Sequence, residues 1–332
     1  MDLVREVRDW LYKIWIGEYI DQFKERGGKV VMITGSYGKT SVKELTYDLL
    51  RHNKVVVATG RNYNTAVGIA KTLYWEVLPT TQVLVVEVGA YHVGEISSFC
   101  GVLKPDIGVI TGIARQHLTQ FGSWQNIITA KTEIARYIQK HGGILVANGS
   151  DETVKENVQR ATWYGGNGRE EINRNGAILV AKEIGLSEVQ IARRLKYIRA
   201  VPSRFEKTSN RYGMAVIDDS YNSNEKSFLE AIRILGREKK YTRILVTPGL
   251  LELGEETKTV HQELGKAMIG NVDVLILVGD NERTQAISSG VGGDIKTYSI
   301  ARTLAFMDLV KSFRLKKEPL VLIENDVPEN YL

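Results

Sequence analysis

Cysteine is nearly absent from this sequence, because the 332 residues include only Cys100. One thiol excludes both a disulfide framework and a cysteine-based metal site, so we expect Cys100 to be a small buried residue. Apolar runs of transmembrane length and a signal-peptide pattern are also missing. These absences favour a cytoplasmic enzyme.

A concentration of positive charge is missing as well. The 44 Lys and Arg residues are nearly balanced by 39 Asp and Glu residues, and the net charge of +5 is spread along the chain. Nucleic-acid-binding domains usually cluster their basic residues on one face, so we do not expect a nucleic-acid partner. The 43% hydrophobic and 25% charged contents are those of a globular protein, and the length favours two domains.

The clearest local pattern is the stretch from Val30 to Ser41. An apolar run that ends at Ile33 leads through Thr34 into Gly35-Ser-Tyr-Gly38-Lys39-Thr40-Ser41, and a helix-like segment follows. Helix N-termini bind phosphates, and the two glycines let the backbone approach an anion closely. The lysine can reach the terminal phosphates of a nucleotide, and the threonine hydroxyl can ligate Mg²⁺. The first glycine of the full Walker pattern would fall at Ile33, so a strand–turn–helix with an incidental lysine is the alternative.

Strands and helices alternate along most of the chain, which predicts an α/β protein with a mostly parallel, doubly wound central sheet. A hinge-like Val201-Pro-Ser-Arg-Phe205 precedes a second α/β pattern, which we expect to be Rossmann-like although it has no Gly-x-Gly-x-x-Gly turn. We therefore predict an N-terminal amphipathic helix in 1–28, a central domain in 29–201 and a C-terminal domain in 202–332. The helix should pack on the domain that follows; docking of a partner protein is the alternative.

Polar residues follow several predicted strands at their carboxyl ends, where open α/β sheets bind ligands. Asn62 and Asn64 come after one strand, Glu87 closes the next, and His117 follows a third. A buried carboxylate needs a partner, and opposite a phosphate loop that partner is Mg²⁺ or, alternatively, a salt-bridging cation. A purely structural role is the alternative for His117.

Together these segments resemble the Mur ligase family, and within it the MurF-like branch that adds D-alanyl-D-alanine. Eight motifs carry the resemblance and occur in the order of the family. They are Thr34–Glu44, Asn62-Tyr-Asn-Thr-Ala-Val-Gly68, Glu87-Val-Gly-Ala90, Lys104–Thr111 leading to His117-Leu-Thr-Gln-Phe-Gly122, Ala130-Lys-Thr-Glu-Ile134, Ser203-Arg-Phe-Glu206, Asp218-Asp-Ser-Tyr-Asn-Ser-Asn224, and Leu251-Glu-Leu-Gly-Glu255 with His261 after it.

The resemblance implies a site for ATP and Mg²⁺ with defined roles for particular residues. The catalytic residues would be Lys39, His117 and Lys131. Magnesium would be held by Thr40, Glu87, His117 and a carbamylated Lys131. The nucleotide would be bound by Gly35, Ser36, Tyr37, Gly38, Lys39, Thr40, Ser41, Asn64, Asn173, Arg204, Asp219 and Tyr221.

The resemblance also implies an activity, ATP-dependent amide-bond formation through an acyl-phosphate on a cell-wall precursor in peptidoglycan biosynthesis. The substrates would be a small-molecule or peptide carboxylate and an amino acid or dipeptide. Three features depart from the family. Only about 27 residues precede the first strand, where a UDP-binding domain is usual; 149–170 is short; and Leu322–Pro328 replaces a Lys-Gly-Ser stretch.

These departures keep two alternatives open. One is a ligase of the same superfamily that acts on poly-γ-glutamate or a folate-like substrate. The other is a non-catalytic nucleotide-binding subunit.

Overall fold

The computed structural model describes residues 3–60, 63–198, 207–209, 214–219 and 224–325. Packing divides the chain into two compact units. The first comprises Met1–Ile113 and Gln120–Val201, and the second comprises Ala114–Thr119 and Pro202–Leu332. A short segment from the middle of the chain therefore packs as part of the second unit. Across the described ranges, no helix has both the length and the apolar character needed to span a bilayer.

The first unit is built on a six-stranded parallel sheet. Its strands are β1 Lys29–Thr34, β2 Val56–Ala58, β3 Val83–Glu87, β4 Ile107–Ile110, β5 Ile144–Asn148 and β6 Thr162–Tyr164, in the spatial order β2-β3-β1-β4-β5-β6. β1 is central, and the chain moves from one side of it to the other between β3 and β4. The carboxyl end of β1 is thus where a doubly wound sheet binds its ligand.

Helices connect these strands. They are α1 Leu3–Glu25, α2 Lys39–Leu50, α3 Ala66–Trp75, α4 Glu95–Leu103, α5 Leu118–Phe121, α6 Trp124–Lys131, α7 Glu133–His141, α8 Glu152–Asn157, α9 Arg169–Glu183 and α10 Glu188–Leu195. α2 and α9 pack together over the sheet, and their apolar residues join those of the strands in one core. The segment from Trp124 to His141 forms two helices, α6 and α7, because the helix breaks at Thr132, whose hydroxyl donates to the Ile128 carbonyl.

The N-terminal helix α1 packs on α3 and α4 of the first unit. Its second half buries Ile16 and Ile20. Its first half leaves Trp10, Leu11 and Ile14 between 42% and 60% exposed. Docking of a partner protein on this half of the helix stays a prediction.

The second unit contains another six-stranded sheet. Its strands are β7 Lys207–Ser209, β8 Ala215–Asp219, β9 Thr242–Thr247, β10 Val274–Val278, β11 Lys296–Ile300 and β12 Pro319–Glu324, in the order β11-β10-β9-β12-β8-β7. All neighbours are parallel except the edge pair β7–β8. The helices are α11 Glu225–Arg237, α12 Thr257–Met268, α13 Glu282–Val291 and α14 Phe306–Lys311, and 3₁₀ turns cover Gly254–Glu256 and Thr303–Ala305.

Candidate functional site

The loop Gly35–Gly38, which the sequence predicts to be a phosphate loop, connects the central strand β1 of the first unit directly to α2. Both of its glycines are required by the backbone. Gly35 has a φ of 148°, and Gly38 has a φ of 80° at the N-terminal cap of α2. A Cβ atom on Gly35 would lie 2.2 Å from the Thr111 hydroxyl oxygen. The loop therefore wraps tightly around a helix N-terminus, whose N–H groups and dipole favour an anion.

The segment after β4 braces this loop. The Ser36 N–H donates to the Gly112 carbonyl at 2.7 Å, and the Thr111 hydroxyl donates to the Tyr37 carbonyl. The Tyr37 hydroxyl donates to the carboxylate of Asp151, a residue that the sequence-based prediction missed. A signal for it was present, because Asp151 follows the carboxyl end of β5 as Glu87 closes β3.

The Lys39 ammonium stays at the loop. Its Nζ atom donates to the carbonyl oxygens of Gly35 at 2.8 Å and Ser36 at 3.4 Å. A cation held at a helix N-terminus adds to the positive field that the loop presents. The Lys39 ammonium thus lies at the loop for which we predict phosphate binding.

The side chains of Thr40 and Glu87 meet beside the loop. The Thr40 hydroxyl lies 3.0 and 3.2 Å from the two carboxylate oxygens of Glu87, which is only 6% exposed. A third residue, Lys43, is fully buried and places its Nζ atom 3.4 Å from the Oε2 atom of Glu87. The carboxylate therefore has the salt-bridging cation that we considered as the alternative partner, as well as the hydroxyl of Thr40 on α2.

Two predicted asparagines lie in the same unit. Asn173 is 7% exposed on α9, and its Oδ1 atom is 2.8 Å from the position that a Cβ atom on Gly38 would take. It therefore borders the N-terminus of α2. The carbonyl of Asn64 accepts the Gly89 N–H at 3.3 Å, which places Asn64 at the carboxyl end of β3.

Lys131 is buried at the end of α6, with 4% of its surface exposed. Its Nζ atom donates to the Ala90 carbonyl at 3.3 Å. Burial, followed by the positive charge of Lys39, lowers the pKa of Lys131 from 10.5 to about 7, although Glu95 and Glu133 raise it. The structure therefore brings this lysine within electrostatic reach of the predicted phosphate loop, and its lowered pKa makes a substantial fraction of the amine neutral, and hence nucleophilic, near neutral pH.

His117 belongs to the short segment that packs in the second unit. Its Nδ1 atom contacts the carboxylate of Glu252, and both residues have left-handed backbones, with φ of 58° and 60°. The Thr119 N–H also approaches the Glu252 carbonyl at 3.4 Å. A non-glycine residue rarely adopts such a φ, so the surroundings hold this pair in a strained geometry. The sequence-based prediction did not assign Glu252 as the partner of His117.

His261 on α12 holds the loop that carries Glu252. Its Nδ1 atom donates to the Thr257 carbonyl at 2.6 Å, and its Nε2 atom accepts the Leu250 N–H at 2.8 Å. Since one nitrogen must accept, the ring is neutral in this arrangement. Burial is the main cause that lowers the pKa of His261 to about 4, and the nearby Arg283 adds to it.

The remaining predicted residues belong to the C-terminal part of the chain. Asp219 ends β8, is 2% exposed, and accepts the Asn325 N–H at its carbonyl at 3.3 Å. Arg204 and Tyr221, together with Asn62 of the first unit, lie outside the described residues. Within the parts of the chain that the structure describes, no three His, Cys, Asp or Glu side chains are grouped as metal ligands.

Two family models match this chain in consecutive stretches. Residues 33–192 match the Mur ligase middle domain, and residues 203–323 match the Mur ligase glutamate ligase domain. The first match contains the phosphate loop, Glu87, His117 and Lys131. The second contains Arg204, Asp219 and the loop with Glu252.

Named relatives point to the same family. The UDP-N-acetylmuramoyl-tripeptide–D-alanyl-D-alanine ligase of Escherichia coli is 28% identical over 306 residues, which cover 80% of this chain and 67% of that protein. The enzyme of the same name from Haemophilus influenzae is 27% identical over 325 residues, covering 85% of this chain and 70% of that protein. Both relatives are therefore longer than the part that this chain matches.

A solved structure has a similar fold. The MurF ligase of Thermotoga maritima, solved in complex with ADP, superposes with a TM-score of 0.80 at 23% identity, covering 96% of this chain and 81% of that one. This likeness confirms the predicted α/β fold class, and the sequence matches confirm the predicted enzyme class, a ligase. Two family models match this chain in consecutive stretches, the two relatives share one name, and the solved structure has the same fold. We conclude that the chain belongs to the Mur ligase family.

Proposed function

We propose that this protein is an ATP-dependent ligase that joins a carboxylate to an amine, with a muramoyl-peptide precursor of the cell wall as the carboxylate and D-alanyl-D-alanine as the amine. The names of the E. coli and H. influenzae relatives support this choice of substrates. The observation that carries the proposal is the glycine-bounded loop at the N-terminus of α2. Beside it, the Thr40 hydroxyl donates a hydrogen bond to the Glu87 carboxylate.

ATP would bind with its phosphates on this loop. The N–H groups of Gly35–Ser41 at the helix N-terminus would contact the phosphate oxygens. Lys39 would exchange its contacts with the Gly35 and Ser36 carbonyls for the terminal phosphates, because an ammonium gains more from a phosphate than from a neutral carbonyl. Asn64 and Asn173 would contact the nucleotide from the same unit, and Arg204, Asp219 and Tyr221 are proposed as contacts from the second domain.

The donor chemistry around Thr40 suits magnesium. A hydroxyl and a carboxylate are hard oxygen ligands, and here they lie within 3.2 Å of each other next to the phosphate loop. When bound, Mg²⁺ would neutralise charge on the phosphoryl group that is transferred. His117 is proposed as a further ligand.

Lys131 is proposed to be carbamylated. Its lowered pKa provides a neutral amine, which can attack the carbon of CO₂, form an N–C bond and release a proton to solvent. The product is an anion, so it can hold a cation that a bare ammonium would repel. The Glu95 and Glu133 carboxylates oppose a further negative charge in this region, which is why a cation is needed to stabilise the carbamate.

The reaction would proceed in two transfers. A carboxylate oxygen of the acceptor attacks the γ-phosphorus of ATP, and the bond to the leaving ADP oxygen breaks, which gives an acyl-phosphate. The amine nitrogen then attacks the acyl carbon, loses a proton and expels inorganic phosphate. Lys39 would stabilise the charge that develops on the transferred phosphoryl group.

The experiment is acceptor-dependent phosphate release from ATP. Wild-type protein is assayed with UDP-muramoyl-tripeptide and D-alanyl-D-alanine, and in separate arms with poly-γ-glutamate or a folate with glutamate. Turnover that requires both muramoyl-tripeptide and dipeptide supports the proposal. Turnover only in the other arms assigns the protein to the alternative ligase group, and ATP binding without turnover in any arm supports the non-catalytic alternative.

A variant pair tests the site itself. Lys39→Ala should reduce turnover by at least about 100-fold, because an electrostatic contact to the transferred group is lost. Lys71→Ala, which removes an exposed lysine on α3, is the matched control and should retain wild-type rates. Equal activity of the two variants would show that the phosphate loop is not the catalytic element.

A further inference from the structure

We propose that Tyr37 and Asp151 form a latch that fixes the phosphate loop in its anion-binding shape before a nucleotide arrives. They would act as positioning residues, because they hold the backbone that contacts the phosphates. The inference rests on the proposed use of ATP and adds a residue pair to it.

The latch begins in the middle of the loop. Tyr37 lies between the two glycines, and its hydroxyl donates to the Oδ2 atom of Asp151, 114 residues further along the chain. The tyrosine is partly buried, and Asp151 is only 2% exposed. A hydrogen bond to a buried carboxylate is protected from water and is stronger than one between neutral groups.

Asp151 is itself held by rigid backbone. Its Oδ2 atom also accepts the Ile113 N–H at 3.2 Å, and its Oδ1 atom accepts the Val154 N–H at 3.0 Å as the N-cap of α8. Both carboxylate oxygens are thus engaged by donors from the protein. We therefore assign Asp151 to the support of the loop and not to metal binding.

The ring of Tyr37 is fixed by shape as well. It lies over Gly112, and a Cβ atom at that position would come within 2.2 Å of the Cζ atom of Tyr37. The neighbouring residues complete the attachment, because Ser36 and the Tyr37 carbonyl are bound to the same segment, Thr111–Gly112. A residue with a side chain at Gly112 would exclude the aromatic ring from its position.

This attachment affects phosphate affinity, because a loop bounded by two glycines would otherwise sample many conformations. Glycine loses more conformational freedom on ordering than any other residue, so a free loop would weaken phosphate binding by the entropy of its ordering. A loop that is already ordered when the protein folds binds its ligand more tightly. The latch should therefore contribute to affinity for phosphates specifically, and not to contacts with the base or ribose.

The test compares Tyr37→Phe, which keeps the ring and removes the hydroxyl, with Tyr74→Phe at an exposed tyrosine as the matched control. Calorimetry measures dissociation constants for ADP, for inorganic tripolyphosphate and, by competition, for adenosine. We expect Tyr37→Phe to bind ADP and tripolyphosphate about 10-fold more weakly, as the loss of one charge-assisted hydrogen bond implies, with adenosine unchanged. The control should match wild type.

A second variant and a kinetic readout separate positioning from general stability. In Asp151→Asn one amide oxygen replaces two carboxylate acceptors, so the same phosphate-specific loss is expected. In both variants the KM for ATP should rise while kcat at saturating ATP stays within about twofold, because ATP orders the loop once it is bound. Combining the two substitutions should weaken binding no further than one alone, as expected for residues that act through a single contact.

The outcomes also separate the two proposals. Wild-type protein that binds neither ADP nor tripolyphosphate would overturn the proposed use of ATP. Wild-type protein that binds both, with Tyr37→Phe binding them equally well, would overturn the latch alone. A lower melting temperature for Tyr37→Phe with unchanged phosphate affinity would likewise show that the contact serves only folding.

Discussion

The Nζ atom of Lys43 lies 3.4 Å from the Oε2 atom of Glu87, and the lysine is fully buried. The same ammonium donates to the Gly60 carbonyl at 3.3 Å. It therefore joins α2, the end of β3 and the loop that follows β2. A buried cation is tolerated only when it is paired. Lys43 also lies 3.4 Å from the Oε1 atom of Glu44, whereas the buried carboxylate of Glu87 has Lys43 as its cation, so the magnesium-ligand candidate Glu87 relies on this lysine.

We predict that Lys43→Met destabilises the protein by about 3–5 kcal/mol, because the substitution leaves a buried carboxylate without its cation. Urea unfolding measures the change. Lys43→Met combined with Glu87→Gln should recover part of this loss, since no buried charge is then left without a partner. Lys71→Met at an exposed position is the control, and a loss no larger than the control's would contradict the buried ion pair.

A second prediction concerns the carbamylation of Lys131. Its neutral amine forms as the pH rises through about 7, so uptake of ¹³C-labelled bicarbonate should increase over that range. Carbon-13 NMR of the protein should show a carbamate signal that is absent from Lys131→Ala. Loss of turnover in that variant, with partial rescue by formate or acetate, would locate the anion at this residue. An identical carbamate signal in Lys131→Ala would place the modification elsewhere.

A third prediction concerns acid stability. His261 is buried with its pKa lowered to about 4, whereas an unfolded histidine titrates near 6.5, so the unfolded state binds more protons between these values. The free energy of unfolding should therefore fall by on the order of 3 kcal/mol from this residue as the pH drops from 6.5 to 4. Above pH 6.5, His261 should make a constant contribution to the free energy of unfolding.

Urea unfolding at several pH values checks the acid prediction. His261→Gln should be less stable than wild type at pH 7, because the imidazole holds the Leu250 N–H, but it should lose less stability on acidification. His52→Gln, at an exposed histidine, should keep the wild-type slope. If the slopes of all three proteins coincide, His261 is not the group that titrates.

A fourth prediction concerns the stability effect of adding a side chain at Gly112. Gly112→Ala should destabilise the protein by about 1–3 kcal/mol, because its Cβ atom would collide with the Tyr37 ring. Gly101→Ala is the matched control, since nothing lies within 4 Å of its Cβ position and it sits exposed on α4. The control should gain about 0.5–1 kcal/mol from the better helix former. Thermal unfolding of both variants distinguishes crowding from a general effect of alanine.

The sequence revealed those parts of the site that local pattern determines. The strand-loop-helix geometry around Gly35–Gly38 could be predicted because a strand, two glycines and a helix start are contiguous. The position of Glu87 could be predicted because a carboxylate at the end of a buried strand is unusual. The role of Lys43 could not be predicted, since only the packing shows that a lysine on α2 is buried against β3. The pairing of Asp151 with Tyr37 and of Glu252 with His117 was missed for a related reason, because these partners are 114 and 135 residues apart in the sequence.

The packing of the segment Ala114–Thr119 has a consequence for proteolysis and for local unfolding of the protein. Its two ends continue into the first unit, yet it packs in the second. The polypeptide thus passes from one folding unit to the other three times, and a backbone cut between the two family-model matches would leave His117 and Glu252 on different fragments. Amide hydrogen exchange in this segment should follow the opening of the second unit, while the strand and helix on either side exchange with the first.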